Sequence, residues 1–237
     1  MQTTRHALRT PPTTAPTGML AFGTQQSKGI VAGVVAVVLV AAFGFAVVRG
    51  AAFTRGDLAI DQALSRAHNP VLVALATGAH WIFDPAQAIV LTLLIVIAII
   101  AVTRKIRLGV TFGAVVAISW VPSDIVKILV HRPRPDAAQL LHPFVPAQTD
   151  PSYPSGHTVF VASLAIALIL LARGKSYQPV VAVVAIVVAL VVTSAFPYLG
   201  VHYVSDVVAS LVWSAGMVPL ALSLWNRIVL PRTHRRR

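Results

Sequence analysis

The chain has 237 residues, 57% of them hydrophobic and only 11% charged, with a formal net charge of +12. A soluble domain carries about 25% charged residues, so this composition, with a mean hydropathy of +0.79, excludes an ordinary water-soluble globule and makes lipid the solvent for most of the surface. There is no cysteine, which excludes disulfides, thiolate catalysis and cysteine-ligated metals.

Residues 1–28 are polar, rich in Thr and Pro, and carry Arg5, Arg9 and Lys28; they read as a disordered cytoplasmic tail. The apolar run at 30–48 is too long for a cleaved signal and ends bulkily in Phe43-Gly44-Phe45, so it reads as the first membrane span. Residues 50–69 are a polar linker with an amphipathic look. The stretch 70–83 is apolar but short, and Gly78, His80 and Asp84 interrupt it; it is expected as an interfacial or half-inserted helix. Five further apolar segments follow at 85–103, 108–126, 157–171, 180–196 and 204–225. A helix rises 1.5 Å per residue, so about 19 residues cover ~28 Å, close to the ~30 Å of bilayer hydrocarbon. Backbone groups in lipid must bond within their own segment, which makes these valine-rich runs helices, not strands. The expected fold is all-α: a polytopic membrane bundle of six transmembrane helices plus one short interfacial helix. Residues 29–226 form one membrane domain, and 227–237 a basic cytoplasmic tail.

With six spans, the two termini share a side with the 104–107 and 172–179 turns. That side holds thirteen of the 19 Lys and Arg residues, which by the positive-inside rule makes it cytoplasmic. A basic chain invites a nucleic-acid reading, but these charges line a membrane edge, and no nucleic-acid partner is expected. All seven acidic residues are Asp, and all fall on or near the opposite, outer side. The outer side therefore carries the mixed charge that chemistry needs.

Three outer segments concentrate polar residues. The first runs from Lys127 to Pro135 and includes Arg132 and Arg134, with Pro133 and Pro135 stiffening it. A guanidinium fork and a lysine point charge suit phosphate oxygens; snorkelling side chains are the commoner reading of a single such residue. The second is Pro154-Ser155-Gly156-His157, where Ser155 can cap an apolar helix whose free N–H groups favour an anion; by itself an ordinary cap explains it as well. The third holds His202 and Asp206, four apart and so on one helix face, where a carboxylate can hold one imidazole nitrogen and leave the other its lone pair. Together these supply two histidines, an orienting carboxylate, cations and a helix start, which fits phosphoryl transfer by positioning and charge stabilisation.

The pattern resembles the type 2 phosphatidic acid phosphatase family, also called the lipid phosphate phosphatase superfamily. Its three motifs are K-x6-R-P, P-S-G-H and S-R-x5-H-x3-D. Lys127 to Arg134-Pro135 matches the first in full, Pro154 to His157 the second, and His202 with Asp206 the end of the third. The resemblance spans roughly residues 57–220. It implies an integral-membrane phosphatase acting on a lipid phosphate or diphosphate at the outer face of a plasma membrane. His202 would be the nucleophile that becomes a phosphohistidine, Asp206 its orienter, and His157 the acid and then the base. Lys127, Arg134, Ser155 and Gly156 would hold the phosphoryl oxygens, with no metal or other cofactor. The partners implied are the lipid phosphate and the surrounding membrane lipid.

One departure stands out. The motif's Ser-Arg pair falls on Ala195-Phe196, so the motif arginine is absent. Either Arg132 stands in for it at the phosphate, or the chain is a weakened relative that binds or transports a lipid phosphate.

Overall fold

The computed structural model describes residues 26–234, with side chains from Ser27 to Ile228. The tail expected at 1–28 lies almost wholly outside the described residues. Among the described residues, nine α-helices follow one another: α1 (Gln26–Arg49), α2 (Ala51–Arg66), α3 (Pro70–Ile82), α4 (Pro85–Thr103), α5 (Ile106–Trp120), α6 (Ser123–Val130), α7 (Gly156–Leu171), α8 (Gln178–Tyr198) and α9 (Val204–His234). The loop between α6 and α7 contains one 3₁₀ turn, Ala137–Gln139.

Among the described residues, five helical segments are long and apolar enough to cross a membrane: Ser27–Arg49, Pro85–Thr103, Ile106–Val130, Gln178–Tyr198 and Val204–Ile228. The fourth expected span, 157–171, is α7 and has 16 residues. At 1.5 Å per residue it reaches about 24 Å, short of the ~30 Å hydrocarbon core. The observed bundle is thus five long apolar helices plus two shorter ones, α3 and α7. Most of α7 is buried among its neighbours, from Thr158 through Ala165, so protein rather than lipid surrounds it.

The span expected at 108–126 is two helices. Pro122 lacks an N–H and sits at the N-cap of α6, breaking the run after Trp120. α6 then ends at His131, which takes a left-handed φ of 50°. The linker expected at 50–69 is the helix α2, and its polar face turns inward: Asp57, Asp61 and Ser65 are buried. Residues 227–234, read as the start of the basic tail, continue α9 as helix.

α9 is the axis of the bundle and packs along α1, α5 and α7. The α1–α9 seam relies on small residues. A Cβ at Gly216 would lie 2.3 Å from Ala36 Cβ, and one at Gly33 would lie 2.4 Å from Leu220 Cβ. Backbones that approach so closely gain dispersion contacts, the means by which helices associate where lipid removes the hydrophobic drive. Polar links pin the ends: Tyr153 Oη donates to Val40 O at 2.6 Å, and Trp213 Nε1 donates to Ser119 O at 2.8 Å.

The helix order places two clusters at opposite ends of the bundle. The basic 103–108 and 171–177 turns line one cavity together. At the other end the α3–α4 junction, the α6–α7 loop, the start of α7 and the α8–α9 turn converge.

Candidate active site

Four chain breaks build the site. Asn69 caps α3, its Oδ1 accepting from Val71 N at 2.9 Å, and so positions His80 near the far end of that helix. Asp84 precedes α4. Ser155 caps α7, its Oγ accepting from Thr158 N at 3.3 Å, which sets His157 at the helix start. Gly200, with φ +68°, ends α8 in a turn that carries His202 inward.

His202 is buried. Its Nε2 faces Arg134 Nη1 at 3.3 Å, and its Nδ1 lies 3.6 Å from Asp206 Oδ2. The second separation exceeds a hydrogen bond, and catalytic bonds often tighten only when substrate is present. Desolvation by burial, and then the positive charges of Arg134 and Lys127, hold this imidazole well below its ordinary value. A neutral ring with Nδ1–H toward the carboxylate leaves the Nε2 lone pair among cations, which is the state a nucleophile needs.

Those cations are clamped by an acid that the motifs do not include. Asp150 Oδ2 accepts from Lys127 Nζ at 2.5 Å, and Asp150 Oδ1 accepts from Arg134 Nη2 at 2.8 Å. Burial pushes the Asp150 carboxyl up, but the Lys127 bond and the charges of Arg134 and Lys127 outweigh it and hold the group at about 2. Arg134 Nη1 also donates to Val201 O at 2.5 Å, tying the loop to the turn that carries His202.

His157 Nε2 pairs with Asp84 Oδ1 at 2.9 Å, which leaves Nδ1 as the other proton position. His80 stacks on His157 with ring centroids 4.5 Å apart, and its Nδ1 is 3.6 Å from the same Asp84 oxygen. Nitrogens of His80 and His157 and an oxygen of Asp84 lie within 4.8 Å of one another, a grouping that can hold a metal ion.

Phe196 occupies the place of the motif arginine and is fully buried. Its ring is 5.1 Å from His157 and 6.3 Å from His202, centroid to centroid, so both imidazoles border one aromatic wall. Arg132 lies beneath His202. Its Nη1 donates to Asp206 Oδ1 at 2.6 Å and Ser205 Oγ at 2.7 Å, its Nη2 donates to Asp57 Oδ2 at 3.0 Å, and its plane covers the Tyr203 ring at 3.9 Å. The guanidinium is occupied by two carboxylates, Asp57 on α2 and Asp206 in the first turn of α9.

Ser155 is also buried, with its N–H donating to Ser210 Oγ at 2.9 Å. A Cβ on Gly156 would meet only Trp120 Nε1, at 3.9 Å, so that face is open. The structure therefore gathers Lys127, Arg134, His157, His202 and Asp206 at one end of the bundle, with Ser155 and Gly156 at the adjoining helix start, and turns Arg132 inward. Sequence reasoning missed Asp84, Asp150, Asp57 and His80. The one available signal was the confinement of all acidic residues to this side.

The site has two flanks. A cavity of ≈ 290 Å³ beside Arg134 is lined by Asp136, Gln148 and Val201 among others. An apolar cavity of ≈ 370 Å³ runs between α2, α3 and α8, lined by Leu64, Leu72, Ala76, Val192, Ala195 and Tyr198.

Comparison with known proteins bears on the family and the fold. A family model described as the PAP2 superfamily matches residues 107–229. A solved structure described as the first transmembrane PAP2 type phosphatidylglycerolphosphate phosphatase, from Bacillus subtilis, superposes with a TM-score of 0.67. It is 23% identical, and the match covers 86% of this chain and 98% of that one. No curated protein matches.

Proposed function

The chain belongs to the PAP2 superfamily, and from that premise we propose that it is an integral-membrane phosphatase releasing phosphate from a lipid phosphate or diphosphate. The observation that carries this reading is the pairing of Arg134 Nη1 with His202 Nε2 at 3.3 Å, in a cradle whose two cations already grip a carboxylate. A phosphoryl group is the larger anion of the same geometry.

Phosphate oxygens replace the Asp150 carboxylate on Lys127 and Arg134. His202 Nε2 attacks phosphorus, the P–N bond forms and the P–O bond to the lipid breaks. The departing oxygen takes a proton from His157 Nδ1. Water then gives a proton to His157 and attacks phosphorus, the P–N bond breaks, and inorganic phosphate leaves. Asp206 stabilises the positive charge that grows on the His202 ring, and Asp84 does the same for His157. Arg132 is given a positioning role under Asp206 in place of the phosphate-holding role expected for it. The Gly156 N–H at the open start of α7 is assigned to a phosphoryl oxygen, and Ser155, bonded to Ser210 and Thr158, is assigned to holding that helix start in place.

The apolar cavity between α2, α3 and α8 and the lipid-facing bundle suit a substrate with hydrocarbon tails, such as phosphatidic acid, phosphatidylglycerol phosphate or a polyprenyl diphosphate. We place six helices, α7 included, across a plasma membrane, with both termini cytoplasmic and the site at the outer face. Basic turns gathered at the end remote from the site support that orientation.

Phe196 favours a second reading, a lipid-phosphate binder or transporter with slow turnover, because one charge-assisted donor is missing. One experiment separates the two. Protein in detergent is offered a panel of lipid phosphates with chelator present, and released phosphate is counted for wild type and His202→Ala. Multiple turnovers by wild type alone support the phosphatase; binding without release supports the alternative.

A further inference from the structure

His80 is buried, and neither ring nitrogen makes a hydrogen bond of ordinary length. Nε2 has no partner, and Nδ1 stands 3.6 Å from Asp84 Oδ1. A buried imidazole left so poorly satisfied costs free energy. Its surroundings show what would satisfy it. Asp84 Oδ1 is shared with His157 Nε2 at 2.9 Å, and the three donor atoms lie within 4.8 Å of one another. Around a tetrahedral ion with N and O ligands about 2.0–2.2 Å away, neighbouring donors sit about 3.3–3.5 Å apart. The two separations from Asp84 bracket that value.

We propose that His80, Asp84 and His157 form a binding site for a divalent cation of the zinc class, and that filling it switches off phosphoryl transfer by withdrawing His157 from proton transfer. The binding half stands on this geometry alone; the inhibitory half rests on the phosphatase reading above.

The donor set selects the ion. Two imidazoles and one carboxylate suit zinc, cobalt(II) or nickel(II), whereas magnesium and calcium take oxygen ligands. Aromatic rings wall the site, with Phe144 5.0 Å from His80 and Phe196 5.1 Å from His157 between centroids. The nearby phosphate-cradle cations are already paired with Asp150, which lessens their repulsion of a second positive ion. Three protein ligands also leave a position open to water or to a phosphate oxygen.

The consequence for the reaction follows from proton count. A metal on Nε2 leaves His157 one N–H, at Nδ1, on a ring that is no longer an imidazolium. That N–H is a far weaker acid. The P–N bond at His202 could then form only by expelling an unprotonated alkoxide, and turnover stops.

The test uses tag-free full-length protein in detergent, stripped of metal and titrated with zinc chloride. Binding is read by calorimetry and, with cobalt(II), by visible absorption. Wild type is expected to bind one ion saturably. His80→Phe keeps the aromatic stack and Asp84→Asn keeps the shape. Each removes a direct ligand, and each is expected to weaken binding by at least the about 10–100-fold that outer-shell losses cost. Absence of saturable binding, or equal affinity in both variants, overturns the site. In the activity arm, zinc is expected to inhibit wild type over the range in which it binds. His80→Phe, measured against its own zinc-free rate, should need at least about tenfold more. Binding with undiminished turnover overturns the inhibitory half. If no turnover is seen even with chelator, the phosphatase reading and the inhibitory half fail together, while calorimetry still decides the site.

Discussion

Asp150 closes on Arg134 through two contacts at once: its carboxylate Oδ1 accepts from Nη2 at 2.8 Å, and its backbone carbonyl accepts from Nε at 3.0 Å. With Lys127 on the other carboxylate oxygen, the acid sits where two phosphoryl oxygens would sit. On the phosphatase reading, substrate and product must displace it. Hydrogen bonds to charged groups contribute about 1.5–3 kcal/mol, and half-exposure of Asp150 lowers that by screening. Asp150→Asn is therefore expected to tighten inhibition by inorganic phosphate roughly tenfold, about 1.4 kcal/mol. A weaker phosphate inhibition constant in the variant would mean instead that Asp150 holds the cations in place.

The environment of His202 predicts both a covalent trap and a pH limb. Brief exposure to a ³²P-labelled lipid phosphate should leave acid-labile, base-stable label on wild type and none on His202→Ala, whose turnover should fall by about 10⁴-fold or more. Because the folded imidazole titrates well below its ordinary value, His202 stays neutral into acid. The acid limb of kcat/KM due to this group should lie below about pH 6.5. A limb from His202 at or above neutral would contradict the buried, cation-flanked ring.

Arg132 is expected to behave as a buried ion-pair partner, not a phosphate ligand. Removing it strands Asp57 and Asp206 beside Asp61, and breaking such pairs costs about 3–5 kcal/mol. Thermal unfolding of Arg132→Gln in detergent should show a large loss of stability. If KM rose while the unfolding temperature held, the guanidinium would belong at the phosphate after all.

Asp61 has no hydrogen-bond partner at either oxygen, and its carboxyl is pushed up to about 8. Burial is the main cause, with repulsion from Asp57 and Asp206 adding to it and Arg132 opposing. The folded state therefore keeps a proton that the unfolded chain releases near pH 4. Any stability this group contributes is complete below that point and is lost as pH rises through about 8. Asp61→Asn should flatten stability between pH 5 and 9. An unchanged slope would place the titration elsewhere.

The sequence made legible what is local in the chain. The long apolar helices follow from length and composition, the α7 cap from Ser155, and the His202–Asp206 face from a four-residue step. Partners between 16 and 75 residues apart were not legible: Asp150 with Arg134, Asp84 with His157, and Asp57 with Arg132. Asp84 read as the end of an apolar stretch, and Asp57 as one charge on a solvated linker. α2 turns that charge inward because Arg132 waits there, and no local pattern encodes it. Phe196 stood out only as a missing arginine. Its role as the wall on which both histidines lean is a matter of packing.

The seam of Gly33 and Ala36 against Gly216 and Leu220 joins the first described helix to the last. During synthesis α1 must therefore wait in the bilayer, without its mate, until α9 has emerged. A ribosome stalled before α9 leaves behind not a smaller bundle but one with its founding member undocked, and a bulky side chain at Gly216 would recreate that state in a finished molecule.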